Sequence, residues 1–431
     1  MSKCKPYPKY KDSGVEWIGE IPEKWNSTEI RWTFQRVKVT NCPTETLLSV
    51  YRDHGVIPKN SRDDNWNKES DDLSAYQLVC EGDLVINKMK AWQGSIAISL
   101  FRGIVSPAYF VYKSIHNEQN TFFHYLLRSK PYILHYGIIS KGIRVNQWDL
   151  EHEAFRLTPI LLPAKKEQQD ISEYLDQETS LIDALITKKT RSIELLREKR
   201  QAMITHVVTK GLNPNVKMKD SGVEWIGEVP VDWNIKSIRH CSNIMRGKFS
   251  HRPRNDPSFY DGDYPFIQTG DITSVTRYIT TFSQTLNDKG TTVSKEFPKG
   301  TLVMAIAANI GDVAILNFPA YFPDSIVGFF PDELTDLNFL FYYISAIKKH
   351  LYLYATISTQ LNINVDQISA IPMVCSTIAE QKTIVTYLDK KCDAIDSIIT
   401  KTERSIELLK EKRQALITAA VTGKIDVREA V

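Results

Sequence analysis

The six cysteines, at positions 4, 42, 80, 241, 375 and 392, form no Cys-x-x-Cys pair and stand beside no histidine cluster of zinc-ligand spacing. This excludes the usual zinc-ribbon and zinc-finger arrangements and points to a reduced, cytoplasmic protein. No stretch stays apolar long enough to span a bilayer, and the opening MSKCKPYPKYKDSG lacks the apolar core of a signal peptide. Neither export nor membrane anchoring is expected. Charge of one sign is scarce as well: Lys plus Arg number 54 against 51 Asp plus Glu, a net charge of +3. A protein that coats nucleic acid indiscriminately carries a far larger excess, so any nucleic-acid surface has to be local. Proline never follows proline, which removes the Asn/Asp-Pro-Pro-aromatic loop of amino-methyltransferases. There is also no Gly-x-x-x-x-Gly-Lys-Ser/Thr phosphate loop and no Gly-x-Gly-x-x-Gly fingerprint.

What the chain does contain, it contains twice. Lys11–Glu20 reads KDSGVEWIGE, and Lys219–Glu228 reads the same. Ser192–Thr205 (SIELLREKRQAMIT) returns as Ser405–Thr418 (SIELLKEKRQALIT), changed only at Arg197/Lys410 and Met203/Leu416. A separation of about 210 residues is the scale of a duplicated domain. The bodies between these frames, Cys42–Gln119 and Ile244–Glu333, share little beyond DLVINKMKAWQGSIAI against TLVMAIAANIGDVAIL. Like frames around unlike bodies suggest one scaffold presenting two different recognition surfaces.

Within the bodies, Thr46–Tyr51, Asp83–Met89, Ala108–Tyr112 and Thr301–Ile306 are rich in β-branched and aromatic residues and read as strands. Thr121–Tyr136 and Asp336–Tyr354 carry apolar residues at mixed three and four spacings and read as helical. From Glu167 to Val208 there is neither Pro nor Gly, and a heptad-like stripe runs through Ile171, Leu175, Ile182, Leu185, Ile193, Leu196 and Met203. The second copy keeps every gap with Ile384, Leu388, Ile395, Ile398, Ile406, Leu409 and Leu416. Two like seams predict mutual, antiparallel pairing about a pseudo-twofold axis. At about 1.5 Å per residue, each helix is long enough to hold two globules well apart. Thr377 and Glu380 form a possible capping box, and Gly211 and Gly423 lie just past the last apolar turns.

The predicted fold class is therefore α+β: two globular mixed α/β domains separated by two long antiparallel coiled-coil helices, a pseudo-twofold repeat. The boundaries fall at 1–165 and 211–378 for the domains and 166–210 and 379–424 for the helices, with a tail at 425–431.

The frame motifs carry a family resemblance. Gly19-Glu-Ile-Pro22-Glu-Lys-Trp25 and Gly227-Glu-Val-Pro230-Val-Asp-Trp233 resemble the Gly-x-Ile-Pro-x-x-Trp opening of target-recognition domains in type I restriction-modification specificity subunits. Leu162-Pro163 through Glu167-Gln168, and Ile371-Pro372 through Glu380-Gln381, resemble that family's entry into its spacer helices. Tyr264–Ile272 (YPFIQTGDI) is similar to a segment of many such domains, whereas the first body has Leu47–Arg52 (LLSVYR) instead.

The resemblance implies a non-catalytic subunit that reads a bipartite site on double-stranded DNA. It further implies docking of two methyltransferase (modification) subunits and, through the assembly, of restriction-translocase subunits. S-adenosylmethionine, ATP and Mg would be bound by those partners and no cofactor by this chain. Two other readings compete: a coiled-coil scaffold that binds only protein, and a nuclease or methyltransferase with fused recognition domains. Divergent heads on like frames disfavour the first, and the missing motifs disfavour the second. No residue is a candidate catalytic or metal-binding group; His152, between Glu151 and Glu153, reads as a solvated surface histidine.

Base reading in the major groove needs Arg, Lys, Asn or Gln, and phosphates need cations. The densest basic stretch in either body is Arg246–Arg254, with Arg246, Lys248, Arg252 and Arg254 on a predicted loop. In the first body Lys88, Lys90, Trp92 and Gln93 follow a strand. A further pair of stretches precedes each helix entry: Lys141, Arg144, Asn146 and Gln147 in the first copy, and Gln360, Asn362 and Asn364 in the second. Each stretch could equally be a solvated turn, with the asparagines bonding backbone groups. Trp17, Trp25, Trp225 and Trp233 belong to the shared frame and read as core or helix-docking residues.

Overall fold

The computed structural model describes residues 5–62, 70–142, 148–354, 356–357 and 361–429. The chain divides into two units, Met1–Thr190 with Glu403–Val431, and Arg191–Thr402. Both divisions pass through long helices, Lys165–Lys210 and Ile378–Val421. Each unit thus owns one globule and one end of each helix. Among the described residues no helix is long and apolar enough to cross a membrane.

Neither helix contains a proline or glycine to stop it. Each is ended by a glycine with positive φ, Gly211 at 76° and Gly423 at 71°. At the start of the second helix Thr377 Oγ1 accepts from the Glu380 backbone N–H at 3.3 Å. In the first unit Asp183 pairs with Arg413 at 3.0 Å and Glu167 with Arg428 at 3.9 Å, so the two helix segments there run antiparallel. In the second unit Arg200 pairs with Asp396 at 3.2 Å, while Gly211, farther along, lies against Glu380, which comes earlier.

The buried seam departs from a strict heptad. Ile171, Leu175, Ile182, Ile193, Ile384, Leu388, Ile395 and Ile406 are buried, and Leu196, Met203, Leu409 and Leu416 are half-buried. Leu185 and Ile398 correct the expectation: they are 43% and 50% exposed. An α-helix drifts by about 20° per heptad, so a position fixed by sevens rotates out of the seam and its neighbour rotates in. Ile399 is buried and Ile186 half-buried in their stead.

Each globule has its own central sheet, and the two sheets have the same strand order. In the first unit the strand order is Phe34–Val37, Tyr109–Ser114, Leu84–Asn87, Ile96–Ile98, all antiparallel. In the second it is Ser242–Arg246, Ile326–Pro331, Leu302–Ala305, Val313–Leu316, again antiparallel, with Tyr278–Ile279 added in parallel. The inserts differ. The first unit adds the hairpin Leu48–Tyr51/Gly55–Pro58 and the pair Gln77–Val79/Gly103–Val105. The second adds a four-stranded sheet from Gln284–Leu286, Tyr260–Phe266, Ala320–Phe322 and Lys295–Phe297.

The shared frame fastens each globule to its helix ends. Asn26–Glu29 pairs with Pro159–Leu162, and Asn234–Ser237 with Pro372–Cys375, so the start of each domain is bonded to the strand that leads into a long helix. Trp25 and Trp233 are buried within that junction. The helical segments fall where expected, as Asn120–Leu127 with Lys130–Ile138 and as Leu337–Leu351, the last capped by the Asp336 carboxylate.

Candidate nucleic-acid interface

The first unit brings its two candidate stretches together. The strand Leu84–Asn87 ends in a turn that carries Lys88, Lys90, Trp92 and Gln93. The Lys88 carbonyl accepts from the Leu150 N–H at 2.9 Å, which places this turn beside the pair Ser140–Lys141/Asp149–Leu150. Lys88 Nζ lies 3.1 Å from Asp149, and Lys141 Nζ lies 2.6 Å from Glu151. The Trp92 ring packs 4.9 Å from Trp148 and its Nε1 donates to the Met89 carbonyl, whereas Lys90 and Gln93 are exposed. Arg144, Asn146, Gln147 and Gln360 lie outside the described residues.

The same juxtaposition recurs in the second unit. Asn362 forms an isolated bridge with Ala307, and Ile363 N–H donates to the Ile306 carbonyl at 3.2 Å, which sets the segment before the helix entry against the turn after Leu302–Ala305. Asn364 caps Val365–Ala370, with its side chain accepting from Gln367 N–H at 2.8 Å. That bond occupies its carbonyl oxygen with backbone.

The basic loop of the second unit has a centre that its own sequence does not contain. Arg252 lies 3.2 Å from Asp324 Oδ2, Arg254 contacts Asp324 Oδ1, and Arg246 Nε donates to the Asp324 carbonyl at 2.6 Å. Lys248 is exposed, and its N–H donates to the Phe322 carbonyl at 3.0 Å. Gly247 is required here, because a Cβ on it would stand 2.2 Å from the Pro323 carbonyl oxygen. The loop therefore lies flat on residues 322–324.

Beside it opens a pocket of about 400 Å3. Arg254 is at its rim, Phe249 and Tyr260 stack within it at 5.9 Å, and Gln268 and Gln284 line it. Gln268 Nε2 donates to Gln284 Oε1 at 2.9 Å. The Ser258 backbone N–H holds the nearby Asp256 carboxyl below the usual carboxylate range, and His251 Nε2 lies 3.1 Å from it. The three positions that sequence reading passed over in this region, Asp324, Gln284 and the pinned Gln268, come from distant segments. Only Gln268 carried a signal, as part of Tyr264–Ile272.

His152 is not a free surface group. Its Nδ1 lies 2.7 Å from the Tyr112 hydroxyl, and burial holds its imidazole below the ordinary value. Among the described residues no group of three or more His, Cys, Asp or Glu is placed to hold a metal ion.

The sequence profile described as "Type I restriction modification DNA specificity domain" matches residues 36–195 and 230–408, each match enclosing one body and running on into the long helix that follows it. The chain belongs to the family of type I restriction-modification specificity subunits. Among curated relatives, a Methanocaldococcus jannaschii protein provisionally named the type I restriction enzyme MjaX specificity subunit is 23% identical over 447 residues, covering 95% of this chain and 96% of its own. The type I restriction enzyme MjaVIII specificity subunit of the same organism is 22% identical, covering 82% and 83%. The fold is that of the HsdS subunit from Thermoanaerobacter tengcongensis, with a TM-score of 0.52 at 15% identity over 94% of this specificity subunit and 98% of that chain. A chain from the structure described as "Structural basis underlying complex assembly and conformational transition of the type I R-M system" aligns with a TM-score of 0.71 at 15% identity, over 93% and 98%.

Proposed function

We propose that each unit reads one half of a bipartite DNA site and that the long helices set the spacer between the halves. The observation that carries this reading is the shared strand order under two unlike inserts, with Lys88 and Lys90 on a turn of the first central sheet and Arg252 and Arg254 against Asp324, next to the inserted sheet of the second unit. A common sheet keeps the geometry of presentation while the insert changes the groups presented, as recognition of two different half-sites requires. The first unit would use Lys88, Lys90 and Gln93, and the second the loop Arg246–Arg254.

The chain itself performs no chemistry in this proposal. S-adenosylmethionine, ATP and Mg are held by partners: two methyltransferase subunits docked on this chain, and restriction-translocase subunits joined through the assembly. Exposed apolar side chains on the long helices suit such docking. Leu181, Leu185 and Leu408 in the first unit, and Leu195 and Ile398 in the second, stand out of the seam on otherwise charged surfaces.

The test is a methylation map of DNA from cells that carry this chain with its cognate methyltransferase. The expected result is one bipartite motif with methylated adenines in both halves. When residues 42–119 are exchanged for the matching body of a relative, one half should change and the other stay. A map in which both halves or neither half changed would overturn the division of labour.

A further inference from the structure

Asp324 is an acidic residue at the centre of a surface that, on the reading above, meets a polyanion. On charge alone it is misplaced there, since it repels phosphate. Its contacts suggest another role. Both carboxylate oxygens are engaged by different guanidiniums, Arg252 on Oδ2 and Arg254 on Oδ1, and its carbonyl accepts from Arg246. Asp324 is about one quarter exposed, and Arg252 and Arg254 are about half exposed. Ion pairs this open to water add little to stability, so a purely structural purpose is poorly served. Two arginines on one carboxylate, with a third on the backbone carbonyl of the same residue, leave a net positive cluster whose members have lost rotamer freedom. Such a cluster can meet phosphates in one register only.

The neighbouring pocket supplies what that register would serve. Arg254 stands at its rim. The Gln268–Gln284 bond fixes two carboxamides against each other while leaving Gln284 N–H donors unused by that bond. A carboxamide reads adenine through N6 and N7 in the major groove, and does so selectively only when its orientation is set. Asp261, at the same pocket, adds a second carboxylate that disfavours loose phosphate contact.

We propose that Asp324 is a positioning residue for base reading: it holds Arg252 and Arg254 so that flanking phosphates engage in one register, which sets the Gln268–Gln284 pair against the edge of an adenine in the second half-site. The proposal rests on the DNA-reading function above.

Once the methylation map has given the target, the experiment compares two duplexes, the target and one with only the second half-site scrambled. Binding is measured to the full chain in complex with its methyltransferase, over a salt series. Asp324→Asn removes a negative charge, so binding to the scrambled duplex should tighten by about two- to threefold. Discrimination between the duplexes should nevertheless fall by about tenfold or more, and Asp324→Glu should restore part of it. Gln284→Ala should lower discrimination with the salt slope unchanged. Discrimination that survives Asp324→Asn while the scrambled duplex binds more tightly would reduce Asp324 to a charge neutraliser and overturn the proposal.

Should Asp324→Asn prove misfolded by thermal unfolding, Arg254→Lys decides. It keeps the charge and loses the fork, so the proposal expects lost discrimination at an unchanged salt slope, and unaltered discrimination overturns it. If the unsubstituted complex fails to distinguish the two duplexes, the failure lies in the DNA-reading function, before Asp324 is touched.

Discussion

Trp233 donates its indole N–H to Glu380 Oε2 at 2.8 Å, which fastens the opening of the second domain to the first turn of the second long helix. The corresponding pair in the first unit, Trp25 and Glu167, lacks this bond: among the described residues neither Trp25 Nε1 nor Glu167 Oε1, both buried, has a hydrogen-bond partner, although Glu167 Oε1 lies 3.9 Å from Arg428 Nε. The two phenylalanine substitutions therefore differ in what they remove. Trp233→Phe should destabilise its unit by about 1.5–3 kcal/mol more than Trp25→Phe does its own, the worth of a hydrogen bond to a charged acceptor. Hydrogen exchange at the two ends of the long helices resolves the units, and equal losses would contradict the assignment.

Acid should weaken the first unit through His124. Its Nε2 lies 2.5 Å from Arg128 NH1, a contact that needs the unprotonated ring. Burial, and then the Arg128 charge, push its pKa down to about 3. His116 is pushed down to about 4 by burial and acts in the same sense. The unfolded chain takes up a proton near the ordinary histidine value of about 6.5. The contribution is therefore full above pH 6.5 and is lost as pH falls from there toward 3. For His124 the loss is on the order of 2 kcal/mol by pH 5. His124→Gln, which keeps an acceptor and cannot titrate, should flatten the pH dependence of unfolding free energy between 6.5 and 5. An unchanged slope would remove His124 from the account.

Cys241 and Cys375 approach to 3.3 Å between sulfurs. The Cys241 contact and burial raise the pKa of the Cys375 thiol. Proximity should decide which thiols couple on oxidation. With hydrogen peroxide the pair should lose two hydrogens to form one disulfide, as the peroxide is reduced to water. Peptide mapping without reductant should find Cys241 joined to Cys375 ahead of any product at Cys42 or Cys80. The reverse order would show that access outweighs proximity.

Four residues inserted after Leu196 add about one turn and 6 Å to the first long helix and roughly preserve its apolar face. The expected outcome is a longer preferred spacer between unchanged half-sites in a methylation map. Altered bases with the spacer intact would make the helices part of the reading surface.

Local sequence carried the frame well because local rules decide it. Strands such as Leu84–Asn87 and Leu302–Ala305 follow from runs of β-branched residues, and the long helices end at Gly211 and Gly423 because only glycine takes that backbone turn cheaply. Leu185 and Ile398 were misplaced because a repeat of seven is only an approximation to 3.6 residues per turn. The site was less legible for a different reason. Asp324 is 70 residues from Arg254, and Gln284 is 16 from Gln268. No periodicity links them; the inserted sheet of the second unit does. Likewise the Glu-Gln entry motif announced a helix start but not its work. Gln168 bonds the Gln119 N–H and the Pro163 carbonyl, and Gln381 bonds the Asp336 N–H and the carbonyls of Leu334 and Ser376.

The hairpins built from the two identical segments, Tyr10–Asp12/Glu20–Pro22 and Met218–Asp220/Glu228–Pro230, meet their helix ends in the same way. Lys424 Nζ donates to the Glu20 carbonyl at 2.6 Å, and Lys210 Nζ contacts the Glu228 carbonyl, although the order of Lys and Gly is reversed between Lys210-Gly211 and Gly423-Lys424. The junction tolerates that swap because each lysine is long enough to reach the same oxygen from either side of the turn. At this contact the two sockets are alike, and a gene carrying the second body within both frames, each frame left as it is, would still close each junction. Its product would present one reading insert twice, and a methylation map should then show a target of two like halves, a palindrome, in place of two unlike ones.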